Sequence, residues 1–96
     1  MLGPLFRLGR IVATPGALSL ISEPRLRQCL YWHQHGDWGS VCEEDAAEND
    51  KSVNAGLRIL SCYAIDPTQL AEGDNRIWIL TEADRSVTTV LLPNEY

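Results

Sequence analysis

A chain of 96 residues with a formal net charge of −5 suffices for one domain around a single modest core, and its acidity disfavours holding nucleic acid by general electrostatic attraction. No apolar run approaches the ~20 residues that cross a bilayer, and the first residues lack the basic segment, apolar stretch and cleavage site of a secretion signal. Cys29, Cys42 and Cys62 are odd in number, widely spaced and without a Cys-x-x-Cys pair, so the expectation is a cytoplasmic protein with free thiols rather than a disulfide framework.

The first expected element is a short strand around Ile11-Val12-Ala13. Thr14-Pro15 then marks a helix start: Thr caps free amides, and Pro at the first helical position forfeits no hydrogen bond. Ala17, Leu18, Leu20 and Ile21 give a short helix with an apolar face. A second helix is expected from Pro24 to His35, where Leu26, Cys29, Leu30 and His33 fall on one stripe, and Gly36 stops it. After the tight connection Asp37-Trp38-Gly39-Ser40, a third helix is expected over Cys42 to Asn54, with Ser40 a candidate N-cap. Glu43, Glu44 and Asp45 lie in its first turn, where carboxylates meet the positive end of the helix dipole. Its inward face is thin, comprising Ala46, Asn49 or Asp50, and Val53, and Gly56 ends it.

Arg58 to Ile65 alternates Ile59, Ser61, Tyr63 and Ile65 against Leu60, Cys62 and Ala64, a strand with both faces largely buried. Asp66 to Asn75 reads as a loop. Arg76–Thr81 and Val87–Leu92 are β-rich runs joined by Glu82-Ala83-Asp84-Arg85-Ser86, which reads as a hairpin with Ile77 and Trp78 on opposite faces. Pro93 ends the sheet, leaving Asn94-Glu95-Tyr96 as a tail. The assembled expectation is a single α+β domain in the order β-α-α-α-β-β-β. Its antiparallel sheet has three to four strands, the first strand at an edge, and about three helices on one face.

The charge is unevenly distributed: residues 1–36 sum to +3, residues 37–50 to −6 and the remainder to −2. The acidic stretch holds Asp37, Glu43, Glu44, Asp45, Glu48 and Asp50. It either attracts a basic surface or is simply a solvated helix face.

His33, His35, Cys42 and Cys62 are metal-ligating types. A His-x-His pair on a helix, however, projects roughly 200° apart, so no metal is expected. Trp38 reads as a plug between the second and third helices, or alternatively as a recognition surface. Asp37 suits the backbone amides of its turn. Asn49-Asp50 are weak helix formers: one of the two side chains hydrogen-bonds a neighbouring loop, or they line a polar pocket with His33. The densest polar cluster is Thr81, Glu82, Asp84, Arg85, Ser86, Thr88 and Thr89. Arg85 is either satisfied within the turn by Asp84 and Glu82, or an anion site with Glu82 or His33 as base. There is no phosphate loop, no Ser-His-Asp order and no paired-carboxylate signature.

Several stretches resemble one family. They are Leu8-Gly9-Arg10-Ile11-Val12-Ala13-Thr14-Pro15-Gly16-Ala17-Leu18, His33-Gln34-His35-Gly36-Asp37-Trp38-Gly39, Cys42-Glu43-Glu44-Asp45 with Asn49-Asp50, Arg58-Ile59-Leu60-Ser61-Cys62-Tyr63, and Trp78-Ile79-Leu80-Thr81-Glu82-Ala83-Asp84-Arg85-Ser86 through Tyr96. The chain is similar to small plasmid-related proteins of bacterial mobile elements. It departs from that pattern at Trp32, where an Arg is usual, and at Cys62, where a small residue is usual. The resemblance implies a mobile-element context rather than an activity.

The leading expectation is a non-enzymatic, protein-binding regulatory protein that meets a basic partner surface through Asp37, Trp38, Glu43, Glu44, Glu48, Asp84 and Arg85. Its specific version is an inhibitor of bacterial defence, anti-CRISPR or anti-restriction. The alternative is a small ribonuclease-like or toxin-like domain using His33, Glu82, Arg85 and Thr89, by fold analogy alone. Neither a cofactor, direct nucleic-acid binding nor a membrane partner is expected, and the oligomeric state is open.

Overall fold

The computed structural model describes residues 3–96. In chain order the elements are β1 (Arg10–Ala13), α1 (Pro15–Leu20), α2 (Glu23–Gln34), α3 (Glu43–Ala55), β2 (Ile59–Ala64), β3 (Arg76–Thr81) and β4 (Val87–Leu91), followed by a 3₁₀ turn at Pro93–Glu95. The fold is α+β. Thr14 caps α1, its Oγ1 accepting from Ala17 N–H at 3.1 Å, with Pro15 behind it. Ser22 caps α2 through Arg25 N–H at 3.3 Å. The cap of α3 is Cys42, whose sulfur accepts from Asp45 N–H at 3.4 Å, and not Ser40. Ser40 is held away because its N–H donates to Cys62 O at 2.6 Å. Sulfur is a weak acceptor, and the carboxylates of Glu43, Glu44 and Asp45 support the same helix end.

The sheet has four strands in the order β1-β4-β3-β2. β2, β3 and β4 form the expected antiparallel meander, with Ser61 opposite Ile79, Ile79 opposite Val90 and Thr81 opposite Thr88. β1 joins at the edge but runs parallel to β4, with Ile11 beside Thr88 and Ala13 beside Val90. The sheet is therefore mixed rather than antiparallel throughout. A parallel pair needs a crossover, and α1 to α3 together with β2 and β3 supply it.

Alternation sorts the side chains onto two faces. Ile59, Ser61, Tyr63, Ile77, Ile79, Thr81, Thr88 and Val90 share one, and all are buried. α1 and α2 cover it through Ala17, Ile21 and Cys29, with Leu26, Leu30 and Trp32 packed alongside. α3 departs from the expected layer and lies across the β2 edge. Its Ala46 and Val53 reach a second cluster of Phe6, Trp38 and Ile59, while Asn49 meets the strand's backbone side-on. The other face carries Leu60, Cys62, Trp78, Leu80, Thr89 and Leu91 and, among the described residues, has no α-helix over it.

The C-terminal residues close part of that face and are not a free tail. Glu95 Oε1 accepts from Thr14 Oγ1–H and from Leu92 N–H, both at 2.7 Å. The Tyr96 ring meets Trp78 edge-on at 5.5 Å.

The outer edge of β2 is satisfied three ways. Asn49 mimics a strand: its Nδ2–H donates to Leu60 O at 2.8 Å and its Oδ1 accepts Leu60 N–H at 3.2 Å. The Trp38–Ser40 connection then bonds both backbone groups of Cys62, with Cys62 N–H donating to Trp38 O at 3.2 Å. Finally, Arg25 donates two N–H groups to Ala64 O, at 3.1 and 2.9 Å. Gly39 is required in this connection, since it sits at φ +73° and a Cβ there would collide with Cys62 O and the Tyr63 ring.

Candidate functional site

The expected polar cluster does not stay together, because its strand residues alternate between faces. Thr81 and Thr88 point into the core, Thr89 points to the helix-free face opposite Leu80, and Asp84 and Ser86 remain at the exposed hairpin tip.

The inward residues form a buried hydrogen-bonded chain whose direction can be read from its end. Thr88 Oγ1–H donates to Leu8 O at 2.7 Å. That uses its single proton, so at the 2.7 Å contact between the threonines Thr81 is the donor. Thr81 Oγ1 must then accept from His33 Nε2–H at 2.9 Å, which leaves His33 Nδ1 to accept the Ser61 hydroxyl at 2.5 Å. The tautomer is thereby assigned from the network. Phe6 and Trp38 wall the imidazole edge-on, at 5.3 and 6.0 Å. Burial, aided by the charge of Arg85, lowers the His33 pKa from 6.5 to about 3. His33 is thus neutral, fully enclosed and engaged at both nitrogens, which keeps it from exchanging a proton with an outside substrate in this arrangement.

Arg85 is bonded within its turn to Glu82, through the carbonyl rather than the carboxylate, and also reaches beyond the turn. It occupies a left-handed backbone position, φ 62°, and its N–H closes the turn onto Glu82 O at 2.9 Å. Its guanidinium donates to Leu57 O at 2.6 Å and Glu82 O at 3.1 Å through one nitrogen, and to Ser52 O at 2.7 Å through the other. It also lies over the Phe6 ring, 5.4 Å from the centroid. Ser52 O also accepts from Gly56 N–H at 3.1 Å, and a cation at the negative end of a helix is favourable, so Arg85 ties the hairpin turn to the end of α3. Asp84 instead accepts from Ser86 N–H and hydroxyl at 3.0 and 2.6 Å. Glu82 pairs with Arg58 at 3.3 Å. His33, Glu82, Arg85 and Thr89 therefore do not converge on a common point.

The partner-binding residues divide as well. Trp38 is 5% exposed and acts as a plug, stacked on Phe6 at 6.2 Å with its Nε1–H donating to Asp50 Oδ1 at 3.0 Å. Asp37 is exposed and accepts Gly39 N–H at 3.1 Å. Glu43, Glu44, Asp45 and Glu48 are exposed along the first half of α3. Of these, Glu48 alone has an ion pair among the described residues, with Lys51 at 3.8 Å. Arg85 instead meets this 13-residue helix at Ser52, about 6 to 14 Å of helical rise beyond these carboxylates, and Asp84 stays at the hairpin tip.

Beside the acidic half of α3 runs a groove of about 220 Å³ onto the helix-free face, floored by Val41, Leu60, Leu80 and Tyr96 and walled by Asp45, Glu48 and Arg58. Among the described residues no three His, Cys, Asp or Glu side chains gather to hold a metal, and no helix is long and apolar enough to cross a membrane. The residue the sequence did not single out is Ser61, as the partner of His33; the sequence does single out Asn49, but its partner is the edge of a strand, at Leu60, rather than a loop. A signal for Ser61 existed, since it sits on the same alternating face as Ile59 and Tyr63. No family model, curated protein or solved structure matches the chain.

Proposed function

We propose that the chain is a non-enzymatic protein-binding module that offers the acidic half of α3 and the adjoining groove to a basic partner surface. The observation that carries this reading is the exposure of Glu43, Glu44, Asp45 and Glu48 beside a groove with an apolar floor. Carboxylates there steer a cationic surface in, and Val41, Leu60, Leu80 and Tyr96 give its apolar neighbours a seat. The resemblance to small mobile-element proteins makes the specific version an inhibitor of a bacterial defence protein, whose nucleic-acid-binding surface would be basic.

The test is paired affinity capture from a bacterial lysate, with mass spectrometry, using the wild type and a Glu43→Lys, Glu44→Lys, Glu48→Lys variant. Exposed charges contribute little stability, so both proteins should melt alike. The expected result is a dominant protein whose recovery falls at least about tenfold with the variant. Equal recovery would make the acidic face merely solvated. RNA incubated with the purified chain should stay intact, and cleavage lost on Glu82→Gln or Thr89→Val would replace this reading.

A further inference from the structure

The sheet's two edges are finished differently. Asn49, the Trp38–Ser40 connection and Arg25 occupy the outer backbone groups of β2. Beyond β1 the sheet has no further strand among the described residues. Arg10 N–H donates inward to Ser86 O at 2.9 Å and Thr14 N–H to Val90 O at 3.0 Å. By the alternation of a parallel ladder, the N–H and C=O groups of Ile11 and Ala13 point the other way, out of the sheet. The Ile11 side chain is 49% exposed. β1 carries a single charge, Arg10 at its first position, and Ile11-Val12-Ala13 contains neither proline nor charge, the usual guards of such an edge.

We propose that a second copy of this chain occupies the edge, with β1 pairing antiparallel to β1 of its twin about a two-fold axis through Val12. The two four-stranded sheets then become one. The register follows from the fold. A two-fold normal to the sheet keeps every side chain on its own face only if it passes through a residue rather than between two. An axis through Ile11 would set Gly9 opposite Ala13 of the twin, but Gly9 has φ +64° and has already left the strand. An axis through Val12 sets Ile11 opposite Ala13 of the twin, and both have outward backbone groups. A large side chain thus meets a small one, and Arg10 meets Thr14 rather than another Arg. Self-pairing also suits the charge: α3, which carries five of the thirteen acidic residues, packs at β2, the far end of each sheet, so the two acidic helices stay apart. The surface is separate from the acidic face proposed above, and neither reading depends on the other.

Sedimentation velocity of the full chain from about 5 to about 500 µM should show reversible dimerisation, weak because a strand this short buries little area. Ile11→Pro removes one outward N–H at a position where an edge strand tolerates proline, and it should sediment as a monomer throughout. If Ile11→Pro does not fold, Ile11→Lys serves in its place. The register is read by oxidation in a Cys42→Ser background, which keeps a capping side chain. Val12→Cys should link into a dimer, because self-facing residues of a non-hydrogen-bonded pair lie about 4.5 Å apart at Cα. Ile11→Cys should not, because its two copies would be offset to about 8 Å, beyond disulfide reach. A wild type that stays monomeric over the whole range overturns the proposal. So does Ile11→Cys linking as readily as Val12→Cys.

Discussion

Arg85 combines an unfavourable backbone with a favourable side chain. Its left-handed φ costs on the order of 1 kcal/mol relative to glycine, while its guanidinium bonds three carbonyls, including Ser52 O in the last turn of α3 and Leu57 O just past its cap. Arg85→Lys keeps the charge but loses the planar fork, and should lower stability by about 1–2 kcal/mol in a urea titration. Arg85→Gly relieves the backbone yet should still be net destabilising, because it removes the tie altogether. If Arg85→Gly is more stable than wild type, the tie is unimportant. His33 gives a pH dependence of definite sign. Its folded pKa of about 3 lies below its ordinary 6.5, so between these values the unfolded chain binds the extra proton. The stability that comes from keeping the imidazole neutral is full above about pH 6.5 and declines as pH falls, by up to about 1.4 kcal/mol per pH unit. Urea titrations from about pH 7 to 4.5, where most carboxylates stay ionised, should show this slope in wild type and a shallower one in His33→Gln. Equal slopes would mean that His33 is not held neutral. The sequence placed His33 on the inward stripe of its helix, but its partners Ser61 and Thr81 come from distant strands, so no local pattern discloses that both ring nitrogens are engaged.

At the scale of elements, Asn49 decides how α3 meets the sheet. Asn49→Ala strips Leu60 of both edge partners and should cost about 1–2 kcal/mol. Asn49→Asp keeps the acceptor but sets a carboxylate against Leu60 O, and should do no better. Amide exchange checks this directly: Leu60 N–H should lose protection in both variants while Ile79 N–H, central in the sheet, keeps it. Unchanged exchange at Leu60 would show that water replaces Asn49 without cost. The meander was legible because alternation in Ile59–Tyr63, Ile77–Thr81 and Thr88–Val90 is local and strong. The direction of β1 was not, since a four-residue strand carries no record of which strand it will reach or which way it will run. The position of α3 was also hidden. Its thin apolar face was visible, but the use of Asn49 to imitate a strand depends on a backbone eleven residues away.

For the molecule as a whole, all three cysteines are free, with Cys29 and Cys62 buried and Cys42 exposed. Thiol titration should find three groups after denaturation and one fast-reacting group in the native protein, removed by Cys42→Ser. A single thiol under denaturing, non-reducing conditions would indicate a disulfide. The pairing of β1 with β4 also governs the order of events in folding. Thr88 reaches Leu8 across 80 residues and Glu95 reaches Thr14 across 81. The first strand therefore has no sheet neighbour until the last has formed. Closing so long a loop is paid in chain entropy before any contact repays it, which places the β2–β3–β4 meander early and the docking of β1 late. Destabilising changes in β1 should then leave the folding rate nearly untouched and appear as faster unfolding. The open edge of the native sheet would be the last part of the molecule to form and the first to come away.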